Sequence, residues 1–298
     1  MSTVDRLREA ALGRLAAQWT ALGGQLDGPA EAAVVDLEAL IAATARLGPE
    51  EPRVAEVALA WCSRHGTAES GARLGTVAAE LGTPAETASL GAAVRRAGGP
   101  PWPQAGEGAK PSPWHGIDPR PGMVVVRDLA APARLVWRLR AGFGVNARAD
   151  VLAALLLVPS PMSVADLAAR TRFAKRTVAG AVADMALAGL AEVERAGNAD
   201  RVRLAEGSPL RSWLPAGAAP TRDEASRWRC VLVALDLAGR SEGAPDSVRA
   251  VDGRASTDGL RGALAAGGLP RPDTTALGAA FAGSLDDWLG GLADAVAP

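Results

Sequence analysis

The chain has 298 residues, 48% of them hydrophobic, and its 32 Lys and Arg against 33 Asp and Glu leave a formal net charge of −1. This length holds two or three domains with sizeable cores. The near-neutral balance excludes a global basic field, so any attraction to nucleic acid has to be local.

Cys62 and Cys230 lie far apart and make no disulfide framework, which predicts a reduced, cytoplasmic setting. No signal-peptide pattern opens the sequence. The longest apolar run, Val151 to Pro159, is too short for a membrane span, so no membrane is expected as a partner.

Residues 1–97 are predicted to form a helical N-terminal domain. Val4, Leu7, Ala11, Leu15, Trp19 and Leu22 recur every three or four positions, the spacing of one helical face, and Gly23-Gly24 ends it. A second helix is expected over 29–47, with Val34, Leu37 and Ile41 on one side. The third spans 52–65 (Val54, Val57, Ala58, Trp61), and Leu74, Val77, Ala78 and Leu81 suggest a fourth. Thr83-Pro84-Ala85-Glu86 opens the fifth, combining an N-cap, a first-turn proline and a capping-box glutamate. Residues 98–122 read differently: seven Pro and six Gly with little apolar periodicity describe a linker, tethered by Trp102 and Trp114.

Residues 123–205 carry the densest pattern. Met123–Arg127 reads as a short strand and Pro132–Arg140 as a helix leading in. A helix over Asn146–Leu157 turns Val151, Leu155 and Leu156 inward and stops at Pro159-Ser160-Pro161. Ser163 then caps another helix, with Asp166 three residues on and Val164, Leu167 and Ala168 inward. Arg170-Thr171-Arg172 leaves that helix, and Phe173 anchors the turn. The next helix, over 174–188, places Val178, Val182 and Met185 inward and Lys175, Arg176, Thr177, Ala179 and Gly180 outward, with Gly189 just past its end. A hairpin follows: Ala191 and Val193 alternate with Glu192 and Glu194, the chain turns at 196–200, and Val202 and Leu204 return inward with Arg201 and Arg203 outward. Residues 206–298 are expected to be a helical extension. In it Trp228, Val231, Leu232 and Leu235 share a face, and Leu277, Phe281, Leu285, Trp288 and Leu292 mark the last helix.

Helices followed by a hairpin in this order resemble the winged helix-turn-helix of MarR/ArsR-like bacterial transcriptional regulators. The resemblance implies a helix in the major groove of double-stranded DNA. Lys175, Arg176 and Thr177 would enter the groove, with Arg172 at its lip. Arg195, Asn198, Arg201 and Arg203 of the wing would meet phosphates or the minor groove, and Arg148 would assist from the first helix. The chain departs from the family at two positions, where members often have Gly in place of Arg172 and a Ser or Thr cap in place of Ala174. Arg172 is therefore expected either to take a left-handed backbone or to stand in a turn that differs slightly from the family's. Charge agrees locally: residues 138–205 hold ten Arg and Lys against six Asp and Glu, a net of +4, whereas residues 1–98 hold nine against twelve, a net of −3. The segments Asp36–Leu40, Pro52–Trp61 and Arg73-Leu74 are similar to the front part of bacterial regulator-like proteins that end in a winged helix.

Other chemistries find no footing. Cys62-Ser63-Arg64-His65 lacks the second ligand pair that a metal site needs, and His115 sits in the Pro-rich linker. No phosphate-binding loop, dinucleotide fingerprint or nucleophile elbow occurs, and two His with no Tyr supply few acid–base groups near neutral pH. The expectation is a mainly α, non-enzymatic protein without metal or cofactor: a sequence-specific DNA-binding regulator, a repressor acting as a homodimer. The N-terminal helices are the expected docking site for any protein partner. The alternative is an antitoxin-like or phage-defence component whose winged helix docks a partner or regulates its own operon.

Overall fold

The computed structural model describes residues 1–102, 112–197, 199–214 and 223–298. The protein is mainly helical, with one small three-stranded antiparallel sheet among the described residues. Helix α1 (Thr3–Ala21) starts at a capping box, the Ser2 hydroxyl accepting from Asp5 N–H and the Asp5 carboxylate from Ser2 N–H. Past its end Gly23 takes φ +103°, and a Cβ there would lie 2.6 Å from the Val125 carbonyl. The strand expected at Met123–Arg127 is accordingly reduced to a single bridge, Gly24 with Val124, because it has only this helix terminus to pair with.

Helix α2 (Leu37–Leu47) begins eight residues later than expected, where Asp36 accepts from Ala39 N–H. Gly28 in a left-handed conformation followed by Pro29 breaks the periodic run, and Val34 and Val35 are spent in a strap whose Val35 N–H donates to Ala133. Helices α3 (Pro52–His65), α4 (Gly71–Leu81) and α5 (Pro84–Arg96) lie where the periodicity places them. Thr83 does not cap α5 with its side chain, however. Its hydroxyl faces the Ala78 carbonyl, and Glu86 turns to Arg46 instead. Both linker tryptophans are buried, Trp114 donating its indole N–H to the Ala45 carbonyl.

The chain then forms α6 (Leu135–Phe143), α7 (Ala147–Leu157), β1 (Met162–Ser163), α8 (Val164–Thr171), α9 (Lys175–Leu187), β2 (Ala191–Ala196) and β3 (Ala199–Leu204). Helices α10 (Glu224–Ser241), α11 (Asp246–Asp258), α12 (Arg261–Gly267) and α13 (Ala279–Val296) complete it. Leu277 stays outside α13 and exposed, since Gly278 at φ +56° precedes the helix start.

Two hydrophobic cores organise these elements. One joins α1–α5 to α10–α13, with Leu7, Trp19, Ile41, Trp61, Trp228 and Phe281 all inside it, so the C-terminal helices share a core with the N-terminal ones. These helices form the body of the protein. The second core belongs to α6–α9 and the sheet, with Leu139, Leu152, Leu167, Val178, Met185, Val202 and Leu204 buried and Val34 reaching in from the strap. Burying each such side chain contributes roughly 1.5–3 kcal/mol, so both units have cores of their own. Helix α6 bridges them: Leu135 and Leu139 face the second core, while Trp137 packs edge-on against Trp61 and beside His65 of α3.

Candidate nucleic-acid interface

The local chemistry of 147–204 explains its shape. Asn146 caps α7 by accepting from Arg148 N–H. Ser163 and Asp166 form a reciprocal capping box on α8. Leu167, Val178, Val182 and Met185 are buried, with Phe173 packed against them. Strand β3 lies between β1 and β2, pairing Met162 with Val202 and Glu192 with Arg203. The hairpin strands extend to Ala196 and Ala199, so its turn is tighter than expected, with Gly197 at φ +63°.

Once the inward positions are filled, α9 presents Lys175, Arg176, Thr177, Ala179 and Gly180 to solvent, as its periodicity predicts. Lys175 and Arg176 have no side-chain partner among the described residues. A Cβ on Gly180 would meet nothing within 4 Å, so this helix surface is open. Further along, Ala183 and Leu187 continue the exposed face, Leu187 being 91% exposed.

The remaining expected contacts are arginines already paired on the surface. Arg148 binds Asp184 of α9 at 2.5 Å. On the β2–β3 hairpin, Arg195 faces Asp200, Arg201 faces Asp166, and Arg203 binds both Glu192 and Glu194 at 2.6 and 2.8 Å. All five are solvent-exposed pairs, each worth at most about 1 kcal/mol, so a phosphate could displace the carboxylates at little cost. Asn198 lies outside the described residues.

Arg172 is placed differently from the sequence expectation. Its backbone is left-handed, φ +57°, the one such non-glycine residue among those described. The guanidinium is turned away from the outward face and only 7% exposed. It donates to Glu80 of α4 at 3.1 Å and to Asp223, the residue before α10, at 2.8 Å. Burial alone would lower its pKa; the Asp223 hydrogen bond and charge outweigh that and raise it. This side chain therefore holds the body rather than the lip of a groove.

Beside it runs a buried charged network that sequence reasoning did not find. Glu38, fully buried, accepts from Arg73 and Arg140 and from Ser70 N–H. Arg140 also binds Asp150 at 2.8 Å, and Arg73 binds Asp36 at 2.5 Å while its Nε–H donates to the Thr171 carbonyl. Burial pushes the Asp36 and Glu38 carboxyls up, but the guanidinium groups prevail and hold both below the ordinary carboxylate range. Nearby Glu69 has no ion pair among the described residues; burial together with the Glu38 charge outweighs the more distant Arg140 and raises it from 4.5 to about 7. The only sequence signal was the placing of Asp36, Glu38 and Arg73 in otherwise apolar helical patterns.

A cavity of about 70 Å³ adjoins this network, lined by Asp36, Arg73, Asp150, Arg170, Arg172 and Asp223 among others. That is room for roughly two water molecules, well below the roughly 300 Å³ of a small-molecule site.

No family model, curated protein or solved structure matches the chain.

Proposed function

We propose that residues 147–204 are a winged helix-turn-helix that binds double-stranded DNA, and that the chain is a sequence-specific transcriptional regulator, a repressor working as a homodimer. The observation that carries this reading is the first turn of α9. It offers two cations without a partner among the described residues and a hydroxyl on an uncovered helix surface, next to a hairpin whose arginines sit in exchangeable surface pairs. Cationic and hydroxyl donors at the start of a helix suit phosphate and base-edge contacts in the major groove, and a neighbouring hairpin suits the flanking backbone. The order helix, strand, helix, helix, strand, strand, with β1 closing on β3, fits this use.

Selection from random duplex DNA with the full chain tests the proposal. Enrichment of a two-fold symmetric site is expected, and a library that stays unenriched at low salt would overturn it. One observation favours a second reading, in which the module docks a protein. Ala179, Gly180, Ala183 and Leu187 give α9 an apolar flank, and Leu187 is almost fully exposed. Docking of that kind would lose contact on Leu187→Ser while duplex binding stayed unchanged.

A further inference from the structure

We propose that the body sets where α9 begins, acting through Arg172, which makes Arg172 a positioning residue of the DNA-reading face. The inference rests on the DNA reading above and goes further by assigning how that face is held.

Helix α9 has weak local instructions for its start. Ala174 stands at the N-cap and supplies no side-chain hydrogen bond. The turn before it requires a left-handed residue, and an arginine occupies the place where glycine would be free of strain. A backbone of this kind persists only where the surroundings over-determine it.

The body supplies that determination from two sides. Arg172 reaches out of the turn to Glu80 and Asp223, while Arg73 reaches from α4 to the carbonyl of Thr171 in the same turn. Asp223 is itself fixed. One carboxylate oxygen caps α10 by accepting from Ser226 N–H, the other holds Arg172, and its own N–H donates to Ala266. Lys175 follows Arg172 by three residues, so a displacement of α4 or α10 would move the first turn of α9 directly. Two departures from the usual turn, Arg172 and Ala174, thereby have one cause: the start of this helix is specified by tertiary contacts.

The sign of the mutational effect tests this. Removing a carboxylate near bound DNA should by simple electrostatics tighten binding. If the clamp positions α9, Asp223→Asn combined with Glu80→Gln should instead weaken duplex binding by about tenfold, the loss of a charge-assisted hydrogen bond. Asparagine still caps α10, which protects the fold. Arg172→Gly, which suits the left-handed backbone, should weaken binding similarly while leaving the salt slope unchanged. A direct phosphate contact would reduce that slope by about 0.9. Tighter or unchanged binding by the double variant, or a reduced slope for Arg172→Gly, would overturn the proposal.

Amide hydrogen exchange without DNA separates this inference from the DNA reading. Faster exchange over residues 178–182, whose amides are the first of α9 to be hydrogen-bonded, in Arg172→Gly, with α2 unaffected, supports the clamp even if the wild-type chain binds no duplex. Identical exchange refutes it.

Discussion

Arginines of the buried charged network at the junction of the two cores and arginines on the β2–β3 hairpin are chemically identical and differently used. Arg73 and Arg140 are buried, each bonded to two carboxylates and a backbone carbonyl. Arg195, Arg201 and Arg203 stand in solvent, paired with neighbours on the same small module. The first set cannot leave without stranding charge in the interior, whereas the second can trade one anion for another. Burial and partner count, not residue type, decide which arginines build this protein and which are free to meet a ligand.

Substitutions can break or sharpen that contrast. Arg140→Ala leaves Glu38 and Asp150 buried and under-compensated, and should cost about 3–5 kcal/mol in denaturant unfolding. A loss under about 1 kcal/mol would place the junction on the same footing as the surface pairs.

Glu69 gives the junction a pH signature. Its folded pKa is raised from 4.5 to about 7, so between those values the folded state binds more protons than the unfolded one, and stability falls as pH rises. His65, whose pKa burial lowers, pulls the other way in this window, so the effect is read as a difference: between pH 4.5 and 7 the stability of Glu69→Gln should fall less, or rise more, with pH than that of the wild-type chain. An unchanged profile in the variant would remove Glu69 as the cause.

On the outward surface the effects shrink and separate from stability. Gly180→Ala fills open space on a helix and should stabilise the fold by about 1 kcal/mol. If DNA approaches α9 closely, the same change should weaken duplex binding. Arg203→Ala should alter stability by less than about 1 kcal/mol, because its carboxylate partners are exposed, yet lower duplex affinity. Equal loss of stability in Arg203→Ala and Arg140→Ala would dissolve the comparison altogether.

Local periodicity made much of the outward module legible. The inward set Val178, Val182 and Met185 and the alternation around Val202 and Leu204 follow directly from helical and strand spacing, and both sets are buried. Capping by Ser163 was equally readable because its partner is three residues away. Thr83 shows the limit of such rules: the capping sequence is present, but its side chains turn elsewhere. The junction was hidden because its members come from residues 36, 38, 73, 140, 150, 172 and 223, which only the tertiary fold brings together. Arg172 was half legible. Its missing glycine left a choice between a left-handed backbone, which the structure has, and a different turn, and nothing local said that the guanidinium would face inward.

The most direct test of the DNA reading is duplex affinity measured against salt for the wild-type chain and Arg176→Ala. Binding that weakens linearly in log salt, with a slope smaller by about 0.9 in the variant, is the predicted result. A wild-type chain that binds no duplex at low salt would contradict it.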